Sequence, residues 1–120
     1  MIPLRFESKF HGQGSFDSWT INGKSFPNTD TIMLSEGKRY RLQMINRSAD
    51  DHPLHLHRHT FEVTSLDGMP LSGLNKDVVV VPANTTAEAD FTASNPGATL
   101  FHCHNQTHMD FGFMMLFRYA

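Results

Sequence analysis

The chain has 120 residues, is 39% hydrophobic and 18% charged, and carries a formal net charge of −2; residues 1–120 suffice for one domain with its own core. This balance leaves out the basic footprint of a nucleic-acid-binding protein, and no apolar run approaches the roughly 20 residues of a membrane-spanning helix, so neither nucleic acid nor membrane is expected as a partner. The opening stretch from Met1 to Phe10 has no continuous apolar segment before a small-residue cleavage site, and no signal peptide is read in it.

Along the chain, short runs rich in β-branched and aromatic residues alternate with turn signals. The candidate strands are Ile2–Phe10, Trp19–Ile21, Thr31–Leu34, Tyr40–Asn46, Leu54–Leu66, Val78–Val81, Ala87–Thr92, Ala98–Cys103 and Phe113–Tyr119. Between them stand Asn22-Gly23, Glu36-Gly37, Asp67-Gly68, Pro82–Asn84 and Asn95-Pro96-Gly97. Many strands at short spacing with Gly, Pro and Asn turns predict an all-β sandwich or barrel. No window of a dozen residues holds an apolar period of 3.6, so any helix should be short, and Asp110–Gly112 reads as a turn.

Eight histidines are unusual for this length, and seven of them fall in two clusters. The first is His52-Pro53-Leu54-His55-Leu56-His57-Arg58-His59. Residues two apart in a strand point the same way, so His55, His57 and His59 would share one face with Leu56 on the other. The second is His102-Cys103-His104-Asn105-Gln106-Thr107-His108, in which His102 and His104 would share a face and Cys103 would take the opposite one. His108, five residues after Cys103, is far enough along for the chain to turn back beside the sulfur.

A thiolate with two imidazoles in a plane and a weak axial position is the blue-copper electron-transfer site. Cys103, His108 and one histidine of the first cluster could supply it, while the outward imidazoles could hold further copper. Singly, each signal is weak: a lone cysteine in a strand is usually a small buried apolar residue, and a single His-x-His is often surface. Structural zinc sites favour paired cysteines at short spacing, which this chain lacks. A serine- or cysteine-hydrolase reading would need Cys103 beside one histidine and an orienting carboxylate, and leaves the other clustered histidines unexplained. As the lone cysteine, Cys103 also rules out an internal disulfide.

The two histidine clusters, together with Trp19-Thr20-Ile21-Asn22-Gly23 and Lys76-Asp77-Val78-Val79-Val80-Val81-Pro82, resemble the C-terminal domain of laccase-like multicopper oxidases. The resemblance covers most of the chain and implies a cupredoxin-like Greek-key β-sandwich. By position it makes His52, Cys103 and His108 ligands of type 1 copper, His55 a ligand of type 2 copper, and His57, His102 and His104 ligands of type 3 copper. Phe113, ten residues after Cys103, takes the axial position without coordinating. Met114 should point away by strand alternation, and Met109 is a weaker substitute. Arg58 departs from the glycine frequent in the family motif, His59 reads as a structural or supporting residue, and His11 as surface.

The resemblance also implies a trinuclear centre shared by two domains, of which this chain holds half. Its partners would be further multicopper oxidase domains or a second copy of the chain, with a small-molecule reductant and dioxygen as substrates. The parent protein would be periplasmic or secreted. The alternative is a single-domain blue-copper electron carrier with no catalysis of its own. A copper nitrite reductase is disfavoured because it does not need the second imidazole of His102-Cys103-His104.

Overall fold

The computed structural model of the chain describes residues 1–9, 18–103 and 112–119. Eleven strands occupy them: β1 (Ile2–Lys9), β2 (Ser18–Ile21), β3 (Ile32–Leu34), β4 (Arg39–Asn46), β5 (His52–Leu56), β6 (Phe61–Leu66), β7 (Met69–Lys76), β8 (Val78–Val81), β9 (Thr86–Thr92), β10 (Thr99–Cys103) and β11 (Met114–Tyr119). They form a six-stranded sheet in the order β2-β1-β4-β9-β6-β7 and a five-stranded sheet in the order β3-β11-β10-β5-β8. The β1–β4 and β11–β3 pairs are parallel, and the other pairs are antiparallel. This is the expected cupredoxin-like sandwich.

Alternation of side chains builds the core. In β4, Leu42, Met44 and Asn46 point inward, and β9 answers with Ala87, Ala89 and Phe91. Apolar burial of this kind stabilises by roughly 25 cal/mol per Å² removed from water. Six phenylalanines, Phe6, Phe61, Phe91, Phe101, Phe113 and Phe117, are fully buried between the sheets. On the outer face of the same pair, Arg41 lies opposite Asp90 and bonds both carboxylate oxygens. That hydrogen bond, with the guanidinium charge, holds the Asp90 carboxyl below its ordinary range.

Two expectations need correction. Leu54–Leu66 is not one strand: the chain turns between β5 and β6, where Arg58 adopts φ 62°. The strand β7 escaped sequence reading because Met69-Pro70-Leu71-Ser72-Gly73-Leu74-Asn75-Lys76 has no β-branched or aromatic residue. It forms because Asp67 and Gly68, at φ 49° and 83°, make the two-residue hairpin loop that suits strand twist. Of the turn expected at Asp110–Gly112, only Gly112 lies within the described residues, and it is in a turn.

Candidate metal centre

The strands β5 and β10 carry the chemistry, and their register places it. They pair antiparallel, with Leu54 opposite Cys103, His55 opposite His102 and Leu56 opposite Phe101. Because β5 alternates from buried to half-buried, His52, Leu54 and Leu56 point into the sandwich, and His55 points out. Cys103 joins the inner set and His102 the outer one. Adjacent residues in one strand, His102 and Cys103, therefore serve opposite faces.

On the inner face, His52 Nδ1 lies 3.7 Å from Cys103 Sγ, and both residues are fully buried. Two donors each bound to one ion at about 2.0–2.3 Å across a wide angle would be separated by a similar distance. The His52 ring meets Trp19 edge-on at 4.7 Å between centroids and is tilted against Phe113 at 4.8 Å. Phe113 in turn packs at 4.9 Å on Phe6. Gly112 makes this approach possible: at φ 107°, a Cβ there would come within 2.7 Å of Ser25 Cβ and 2.9 Å of the Trp19 carbonyl oxygen.

On the outer face, His55, His57 and His102 cluster, with centroid separations of 5.1, 5.8 and 4.8 Å for the three pairs. The Nε2 atoms of His57 and His102 are 2.8 Å apart. His55 Nδ1–H donates to the Asp77 carbonyl at 2.8 Å, and His102 Nδ1–H donates to the Cys103 carbonyl at 3.0 Å. Each of these bonds leaves the lone pair on Nε2, the arrangement that prepares an imidazole for a metal. Met114 is the register partner of His102, so it lies on this outer face and away from Cys103.

His59 does not share the face of His55 and His57. The turn carries it into the interior, where Nδ1–H donates to the His57 carbonyl at 2.8 Å and Nε2 accepts from the Tyr119 hydroxyl at 2.7 Å. Both ring nitrogens are used by the protein, which suits a structural histidine and not a ligand. Arg58 is explained too. Its left-handed φ is what glycine adopts at no cost, and a non-glycine residue there costs roughly 1–3 kcal/mol. The guanidinium offsets that strain by donating to Asn95 Oδ1, the Pro96 and Ala98 carbonyls and Thr99 Oγ1, at 3.2–3.3 Å. It clasps the β5–β6 turn to the segment leading into β10.

His104, His108, Met109 and His11 lie outside the described residues. Among the described residues no three His, Cys, Asp or Glu side chains close a metal site by themselves. The donors present suit copper: one buried sulfur beside an imidazole inside, and three clustered imidazoles outside. A polar hollow lined by Arg39, Arg58, His59, Glu62 and Asp90 contains none of the expected ligands. Sequence reading passed over Ser48 and Asn46. Ser48 Oγ is 2.8 Å from His52 Nε2 and 2.7 Å from Asn46 Oδ1, but both residues sit where β4 gives way to the polar stretch Arg47-Ser48-Ala49-Asp50-Asp51 and look like ordinary turn residues.

Comparison with known proteins gives a consistent result. The family model for multicopper oxidases matches residues 3–120. Multicopper oxidase MmcO of Mycobacterium tuberculosis is 40% identical over 90 residues, covering 75% of this chain and 18% of that protein. Multicopper oxidase mco of Staphylococcus aureus is 31% identical over 118 residues, covering 92% of this chain and 26% of that protein. The crystal structure of the blue copper oxidase from Nitrosomonas europaea superposes with a TM-score of 0.86 at 26% identity, covering 98% of this chain and 43% of that one. The chain thus spans about a quarter or less of the two curated relatives.

Proposed function

This chain belongs to the multicopper oxidase family, whose metal is copper, and from that premise we propose that it carries a complete type 1 site and half of a trinuclear oxygen-reducing centre. His52, Cys103 and His108 would hold the inner copper. His55 would hold type 2 copper, and His57, His102 and His104 type 3 copper, on the outer face. The observation that carries this reading is the division of one strand pair into two donor sets. His52 Nδ1 faces Cys103 Sγ inside at 3.7 Å, and His57 meets His102 outside at 2.8 Å.

When bound, copper supplies one-electron oxidation of a small phenolic or similar reductant at the inner site and four-electron reduction of dioxygen to water at the outer one. The residues of the chain link the two. The Cys103–His102 peptide is a short covalent path from the inner donor set to the outer one. Phe6, Trp19 and Phe113 pack around the His52 ring and, like Cys103, are buried, so the inner donor pair is shielded from water. The outer histidines lie on a face that needs an equal set from elsewhere, either from further domains of a longer protein or from a second copy across a two-fold axis. A periplasmic or secreted parent protein is part of the same reading.

The deciding experiment is the solution mass measured with copper per chain. One copper per isolated 120-residue chain is expected in the monomer, with additional copper and oxygen uptake confined to species that contain a second half-site. A strictly monomeric chain that reduces dioxygen through many turnovers would overturn the half-site reading.

Phe113 offers a second test. Its ring is fully buried against His52 and has no donor atom. In Phe113→Met, a thioether at that position should stabilise cupric over cuprous copper. Since a tenfold relative stabilisation corresponds to about 59 mV for one electron, the type 1 potential should fall by roughly that much or more, with the blue colour kept. An unchanged potential by redox titration would mean that Phe113 does not occupy the axial position.

A further inference from the structure

We propose that Asn46 and Ser48 are positioning residues that dictate which nitrogen of His52 can bind copper. The inference rests on the type 1 assignment of His52 but names residues that the assignment does not include. Its basis is hydrogen-bond polarity, traced from atoms whose roles are fixed.

Asn46 is buried at the end of β4, continuing the inward set of Leu42 and Met44. Its Nδ2 lies 2.9 Å from the Asp50 carbonyl oxygen, 3.0 Å from that of Val81 and 3.1 Å from that of Pro82. Carbonyl oxygens only accept, so the amide cannot be turned the other way without setting oxygen against oxygen three times. Asn46 Oδ1 therefore faces Ser48, where it accepts from the backbone N–H at 3.1 Å and stands 2.7 Å from Oγ. Two oxygens at that distance need a proton between them, and only the serine hydroxyl has one. With that proton committed to Asn46, Ser48 Oγ can only accept from His52 Nε2 at 2.8 Å. His52 consequently carries its proton on Nε2 and its lone pair on Nδ1, the atom facing Cys103 Sγ. The other tautomer would place an N–H against the sulfur and obstruct the metal.

The same relay ties the two sheets together. Asn46 belongs to the six-stranded sheet, whereas His52 and Val81 are partners in the five-stranded one. Trp19 and Phe113 hold the imidazole from the sides, and Ser48 holds its far end. Partners of this kind behind a metal-binding histidine typically affect metal affinity by 10–100-fold when removed.

The test uses the full natural chain and has two arms. In the metal-free wild type, nitrogen NMR of the His52 ring should show the proton on Nε2; a proton on Nδ1 would overturn the proposal without reference to copper. In the second arm, Ser48→Ala, Ser48→Thr and the wild type are loaded with copper and challenged with a competing chelator. Ser48→Ala should lose copper from the blue site roughly 10–100-fold more readily, at an apo melting temperature close to that of the wild type. Ser48→Thr, which keeps the hydroxyl, should restore retention to within a few-fold. Equal retention in Ser48→Ala, or failure of Ser48→Thr to restore it, would overturn the proposal while the blue wild type leaves the type 1 assignment standing. A wild type that never turns blue would overturn the assignment and the proposal together.

Discussion

Cys103→Ser is expected to remove the intense visible absorption of the copper-loaded protein altogether. The blue colour of a type 1 site arises from charge transfer between a thiolate and cupric copper, and Cys103 is the one sulfur of its kind in the chain. A serine hydroxyl is nearly the same size but does not ionise near neutral pH, so it offers no equivalent donor. The fold should survive, because the backbone N–H of residue 103 still donates to the Phe113 carbonyl and the side-chain volume barely changes. Burying a hydroxyl without a full set of partners costs about 1–3 kcal/mol, so a lower melting temperature is expected alongside the lost colour. Circular dichroism of the variant would separate the two effects. Blue absorption that persists in folded Cys103→Ser would remove the sulfur from the site and with it the type 1 assignment.

The second large effect is expected from His57→Ala. His57 is half-buried, lies on the outer face and contacts His102 through Nε2. Alanine there should leave His52 and Cys103 in place, since both are fully buried on the inner face of the β5–β10 pair. Dioxygen consumption by the assembled, copper-loaded protein should fall by on the order of a hundredfold or more, at or beyond the upper end of what supporting residues of metal sites show. The blue band should remain. Oxygen uptake within a few-fold of the wild type would take His57 out of the trinuclear set. A blue band lost along with the activity would mean that the two faces are not independent, contrary to the division seen between His52 and His55 along β5.

Some of the architecture is encoded by near neighbours and some is not. Strand alternation, readable from a few consecutive residues, already separated Cys103 from His102 and aligned His55 with His57. The Asp67-Gly68 turn was legible for the same reason, although its second arm was not: a turn type depends on its own two residues. Reading failed where a longer-range term decided. Leu54–Leu66 is apolar enough for one strand, yet it breaks at Arg58, and Asn95 and Thr99 are among the groups that hold that turn. The same break rotates His59 out of the outer face and onto Tyr119. The strand β7 has weak intrinsic preference and is held by pairing with β6.

By itself, then, the amino-acid sequence determined the all-β class and the two histidine clusters, because composition, turn chemistry and period-two alternation are carried by near neighbours; the kinship to multicopper oxidases came from the resemblance of the cluster motifs themselves. Only the tertiary structure decided that His55 stands opposite His102 and Leu54 opposite Cys103, that Arg58 is a clasp and His59 a strut, and that Asn46 and Ser48 stand behind His52. These facts depend on cross-strand register and on the direction of individual hydrogen bonds. The β5–β10 register, the Arg58 and His59 partners and the Val81 carbonyl that orients Asn46 all join residues dozens of positions apart, and these partners appear only once the sheets have closed.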